Sequence, residues 1–243
     1  MRLKFLMAGS VLSLVLLAQS LQPAEASRRR FLGANGTATT FSQQGQYGRR
    51  AGVRAGLFGQ GGVSAQGGQY AGPDGGTLNR GGFNAFKRGS GGLHASGSQG
   101  TTPAGGAWKR GGATGYSPEN GAFHKSGIEA SGANGGTFNR GSDMQYQQGV
   151  GGYTQKGFNA QAANGASATG YKTNNYDAGT GTGTMTRGRD FNTAGGDSYG
   201  YDKSTSYTKG EGLTTTVDTQ NKQDYTVEWQ KGSRPVYTPV PAQ

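Results

Sequence analysis

The chain has 243 residues, with 49 glycines, no cysteine, and 24 lysines and arginines against 13 acidic residues, a net charge of +11 at neutral pH. Only 31% of the residues are hydrophobic and mean hydropathy is −0.69, which excludes a large buried core and a disulfide framework as sources of stability. Aromatic residues make up 10% of the chain, more than a purely solvating tail needs.

The first segment reads as an address. Arg2 and Lys4 precede an apolar stretch from Phe5 to Leu21, and Ala24-Glu25-Ala26 fits a small-x-small cleavage site. Residues 1–26 are therefore expected to be a secretory signal peptide. Gly9, Ser10, Ser13, Gln19 and Ser20 interrupt the stretch, which falls short of the ~20 apolar residues of a spanning helix. The expectation is a secreted protein of the periplasm, cell surface or extracellular space, with no transmembrane segment once the signal is removed. Residues 27–44, opening with Arg28, Arg29 and Arg30, read as a basic leader of low order.

From residue 45 to residue 224 the chain is a glycine-punctuated repeat. Gly75, Gly105, Gly135, Gly165 and Gly195 recur every 30 residues, and so do Gly91, Gly121, Gly151 and Gly181. Self-similarity at a fixed period marks a repeat architecture, which copies a surface rather than building one unique pocket. Asp74-Gly75, Asn120-Gly121, Asn134-Gly135 and Asn164-Gly165 predict two-residue type I′ hairpin turns. The alternating stretches between them predict strands, and no helical period is present. The expected fold is all-β: a repetitive antiparallel meander on a 30-residue, two-strand unit. A parallel β-solenoid and a largely disordered glycine-rich chain are the alternatives.

Arg80, Arg110 and Arg140 share one repeat position. They would stack ~4.8 Å apart and repel in a solenoid, but lie two strands apart in a meander, which favours the meander. With Asn134-Gly135 as a two-residue turn, Glu129 falls opposite Arg140. The same register gathers Leu78, Phe86 and Leu93, then Trp108, Tyr116 and Phe123, then Phe138, Tyr146 and Tyr153, on the arginine face. The other face reads as small and polar, with Phe83, Ile128 and Phe158 as exceptions. The candidate face for self-association or polymer binding is therefore Arg80, Phe86, Trp108, Arg110, Tyr116, Phe138, Arg140, Tyr146 and Tyr153. Residues 225–243 close the chain with a strand near Tyr225–Trp229 and an extended tail holding Pro235, Pro239 and Pro241.

Charge is uneven along the chain. Residues 27–112 hold eleven basic residues and only Asp74, whereas residues 113–243 hold eleven of each sign. Arg28, Arg29, Arg30, Arg49, Arg50, Arg54, Lys87 and Arg88 are candidate polyanion contacts. His94 and His124, one repeat apart, read as copies of one sheet position rather than metal ligands. No nucleophile, carboxylate pair or phosphate loop stands out, so neither an enzyme nor a cofactor is expected.

The phrases PDGGTLNRGG and ANGGTFNRGS resemble the GPNGGT-type repeats of secreted, glycine-rich bacterial proteins, over roughly residues 45 to 212. The resemblance implies a cell-surface or matrix component without catalysis. The partners expected are further copies of the chain and envelope or matrix polymers such as acidic polysaccharide and lipopolysaccharide. Nucleic acid enters only as an incidental polyanion.

Overall fold

A computed structural model describes residues 26–220 and 222–241. The residues expected as a signal peptide, up to Glu25, lie outside the described residues. The chain divides into two units, Met1–Asn120 and Gly121–Gln243.

The first unit contains β1 (Ser27–Gly33), β2 (Gly36–Gly45), β3 (Gly48–Leu57), β4 (Gly61–Ala71), β5 (Thr77–Lys87), β6 (Gly91–Thr101) and β7 (Ala107–Ser117). The second contains β8 (Gly121–Ser131), β9 (Thr137–Gln147), β10 (Gly151–Gln161), β11 (Ser167–Asp177) and β12 (Thr182–Asn192). It continues with β13 (Ser198–Thr208), β14 (Gly212–Thr219), β15 (Tyr225–Gln230) and β16 (Val236–Pro239). Within each unit the strands follow chain order and pair antiparallel, which is the meander and not the solenoid. Residues 27–44 are not a low-order leader: they form β1 and nearly all of β2, paired from Ser27–Ser42 to Gly33–Gly36. The proline-containing tail pairs as β16 against β15.

The hairpins correct the expected turn chemistry. No residue other than glycine has positive φ among those described, so Asn134-Gly135 cannot be a type I′ turn. Five residues, Gly132–Gly136, separate β8 from β9, with Gly135 N–H donating to Gly132 O and Gly132 N–H to Gly136 O. Only Gly135 is left-handed there, at φ +87°. At the opposite end of the strands, three residues separate Lys87 from its partner Gly91. Both loops are odd in length, so pairing shifts by one from a two-residue register and alternate faces exchange. Glu129 accordingly faces Asn139, and Arg140 faces Ile128. The β11–β12 turn has four residues, Ala178 to Gly181, so the next left-handed glycine is Gly196 and not Gly195.

The second glycine series has a steric cause. Gly91 has φ +107°, and a Cβ there would stand 1.8 Å from the Tyr116 carbonyl oxygen on the next strand, β7. Gly61, Gly121 and Gly151 stand equally close to the following backbone, whereas Gly181, after the four-residue turn, meets only the Lys209 side chain, at 3.5 Å.

Neither unit has a core in the usual sense. Each strand packs substantially only on its sequence neighbours. Val217, 8% exposed, is the sole buried hydrophobic residue among those described, beside buried Thr205 and Thr215, whose hydroxyls hydrogen-bond. Apolar surface is covered within the sheet instead, by aromatic rings lying on glycines directly across the ladder. Phe41 lies over Gly52, Trp108 over Gly100, Phe158 over Gly170 and Tyr207 over Gly183. A glycine opposite a ring lets it lie flat on bare backbone, which offsets some of what a glycine costs a strand. Tyr176 and Tyr207 meet across Gly183 with centroids 6.4 Å apart and planes 8° from parallel.

Candidate binding faces

In the first unit the ladder assembles an arginine face. One cross-strand row runs Gln43, Arg50, Gly68, Arg80, Ser98, Arg110, so the three arginines stand on alternate strands, roughly 10 Å apart. Arg50 Nε donates to Gln43 Oε1 at 2.8 Å and Arg110 Nε to Ser98 Oγ at 2.9 Å. Arg80 donates to the Tyr70 hydroxyl at 3.0 Å, its guanidinium 5.1 Å from that ring's centroid, and Arg110 lies 5.6 Å from Trp108. Neighbouring aromatics therefore hold the guanidinium planes by cation–π contact while leaving edges for a ligand.

Arg28, Arg30 and Arg54 share this face, Arg30 and Arg54 flanking Thr39. Among the described strand residues of the unit, no acidic side chain lies on either face. Arg29, Arg49 and Lys87 point to the opposite side, where Arg49 donates twice to Gln69 Oε1. Arg88 lies in the β5–β6 turn, its N–H donating to Gln60 O. The eight expected polyanion contacts are thus split between two faces and a turn. Phe86 and Tyr116 lie on the arginine face on either side of Gly92, as expected, and remain 64% and 59% exposed. Leu93 does not: it pairs with Ala85 on the other face, because the odd turn moves it across. His94 is on the arginine face, hydrogen-bonded to Asn84 Oδ1.

In the second unit Phe138, Arg140 and Tyr146 share a face, but Phe123 and Tyr153 are on the reverse, paired with Gln145. Ile128 and Phe158, expected opposite Arg140, are its direct neighbours. The same one-residue shift explains all four corrections.

Sequence reasoning missed the main electrostatic feature of this unit. Lys156 pairs with Lys172, Lys172 with Arg187, and Arg187 with Lys203, giving four cations directly opposite one another on adjacent strands. Arg140 and Arg189 lie on the same face, and no acidic residue does among those described. At a ~5 Å spacing two unit charges repel by roughly 1 kcal/mol in water and less in salt, so this ladder weakens the bare sheet. Arg187 relieves part of it by lying 5.8 Å from the Tyr201 ring.

The reverse face is acidic, carrying Glu129, Asp143, Asp177, Asp190, Asp202, Asp218 and Glu228, with Lys125 its single cation. Asp202 and Asp218 are directly opposite each other. Lys125 is 3.6 Å from Asp143. The Tyr171 hydroxyl donates to Asp202, and that hydrogen bond, ahead of burial and of the Asp202 and Asp190 charges, holds the phenol above its usual 10.0. Tyr153 is raised as well, first by burial and then by Asp143. An open trough of about 1450 Å³ follows one turn edge of the unit, its lining including Tyr153, Asn175, Asp177, Glu211 and Glu228.

Eleven charges of each sign over residues 113–243 concealed this sorting, because a block count discards which side of a strand each residue occupies. The readable signal is the spacing of 16, 15 and 16 residues between Lys156, Lys172, Arg187 and Lys203, close to half a repeat.

No family model, curated protein or solved structure matches the chain.

Proposed function

We propose that the chain is an exported, non-catalytic structural protein of the cell envelope or extracellular matrix that works by associating with further copies of itself. The observation that carries this reading is the absence of a core among the described residues, combined with rings such as Phe86 and Tyr116 standing mostly in solvent. Apolar side chains that a sheet cannot cover by itself are surfaces for a partner. Free strand edges add unpaired backbone groups that template further chains. A copied surface suits assembly, since each repeat offers the same contact again.

Sedimentation velocity of the purified chain over a range of concentrations tests the reading. Association that grows with concentration, reduced when Trp108, Tyr116, Phe138 and Tyr146 are replaced by serine, is the expected result. A β-rich chain that stays a single copy at every concentration contradicts it.

The arginine row favours a second reading, in which the first unit holds an acidic polymer. Arg50, Arg80 and Arg110 form a straight, regularly spaced cationic track beside aromatic planes, suited to a linear polyanion. Replacing the three by glutamine should elute the chain from a heparin column at clearly lower salt. Unchanged elution removes this reading.

A further inference from the structure

The charges of the second unit are sorted by side: six cations and no acid among the described strand residues on one face, seven acids and one lysine on the other. We infer that the cationic face of one copy stacks on the acidic face of a second copy, giving an open, head-to-tail pile of sheets. The inference rests on the self-association reading and assigns it surfaces.

Three observations carry it. First, the two faces are matched in charge, each with an excess of six, so a stack neutralises itself without counterions. Second, β12 and β13 carry both signs back to back, Arg187 and Arg189 beside Asp190, and Asp202 beside Lys203. Displacing a copy along the sheet normal therefore lays Arg189 over Asp190 and Lys203 over Asp202 with no lateral search. Third, each face holds like charges directly opposite one another, Lys156–Lys172–Arg187–Lys203 on one and Asp202–Asp218 on the other. Such neighbours repel in the single copy, and a facing layer of the opposite sign relieves them.

The dimensions fit. Sheets pack face to face at ~10 Å, a gap that lysine and arginine side chains can bridge. The six strands of eleven residues, β8 to β13, present roughly 1,000 Å², above the ~800 Å² per partner of a standard interface. Because the joined surfaces differ, the contact does not close on itself and propagates. The first unit has cations on both faces, so the matching is confined to the second.

Two charge-swapped full-length chains test the inference. One carries Lys156→Glu, Lys172→Glu, Arg187→Glu and Lys203→Glu, making both faces acidic. The other carries Asp190→Lys, Asp202→Lys, Asp218→Lys and Glu228→Lys, leaving three acids against five lysines and so making the acidic face basic. Each alone should sediment as a single copy at concentrations where the parent assembles. An equimolar mixture should assemble, and ~0.5 M salt should disperse it. If either variant alone assembles like the parent, or the mixture stays dispersed, face stacking is wrong while self-association through edges or aromatics stands. If the parent itself never leaves the single-copy state in low salt, both readings fail. Should circular dichroism show that a swapped chain has lost its sheet, the set Asp190→Asn, Asp202→Asn and Asp218→Asn replaces it. At least tenfold weaker association in low salt is then expected, and unchanged association overturns the inference. Parental assembly that requires added acidic polysaccharide also overturns it, and assigns the cation ladder to that polymer.

Discussion

Replacing Gly91 by alanine separates two roles of glycine that composition alone merges. Gly89 and Gly91 are both left-handed, at φ +75° and +107°. A Cβ at Gly89 meets nothing within 4 Å, whereas at Gly91 it stands 1.8 Å from the Tyr116 carbonyl oxygen. The left-handed backbone costs an alanine ~1–2 kcal/mol at either site. At Gly91 the contact is with backbone, so relief requires β6 and β7 to part locally, and two lost ladder hydrogen bonds add roughly 1–3 kcal/mol. Gly89→Ala should therefore cost ~1–2 kcal/mol and Gly91→Ala ~2–5 kcal/mol, roughly a tenfold or greater gap in local opening. A repeat array need not unfold in one transition, so the assay is hydrogen–deuterium exchange of the β6 and β7 amides. Equal loss of protection in the two variants would refute the edge-contact account of the 30-residue period.

The ring-on-glycine pairs should matter although nothing is deeply buried. Covering about half of a ~200 Å² aromatic side chain is worth roughly 2 kcal/mol, so Phe158→Ala should speed exchange in β10 and β11. Gly170→Val should do the same, since a Cβ there meets the Phe158 ring at 2.4 Å; unaltered exchange in both would show that the ring is idle. Raised above 10.0, the Tyr171 phenol stabilises the fold fully below its unfolded pKa, and that contribution is lost as pH rises through the higher folded value. Ultraviolet titration should find Tyr153 and Tyr171 ionising late, and Asp202→Asn should return Tyr171 alone towards 10.0; an unchanged profile in the variant removes the hydrogen bond as the cause.

Existence and direction of the strands between residues 45 and 224 were largely legible because glycine spacing reports turns, and turns at a 30-residue period leave strands of one length. Antiparallel order followed from arginine repulsion: Arg80 and Arg110 are indeed two strands apart with Ser98 between. What was not legible was turn parity. Asn134-Gly135 is compatible with a two-residue loop, but Gly132 N–H and Gly136 O close a five-residue one, and a single residue transfers every side chain of the next strand to the other face. Phe86 and Tyr116 kept their face because both lie on odd-numbered strands of the meander, whereas Leu93 and Tyr153, one strand on, changed sides. The order of the leader is not legible from its polar composition, because Ser27–Gly33 finds it by pairing with β2. The charged faces of the second unit depended on the same parity, and so stayed hidden.

Sidedness rests on register, and the natural absence of cysteine makes register directly measurable. Thr173 and Thr186 are directly opposite on the acidic face, their hydroxyls hydrogen-bonded, while Arg187 points to the reverse. Under mild oxidation the chain with Thr173→Cys and Thr186→Cys should form an intramolecular disulfide in high yield. The chain with Thr173→Cys and Arg187→Cys should not. Crosslinking of the offset pair in preference to the direct one would place the lysine ladder and the aspartates on the same side, and contradict the account at its base.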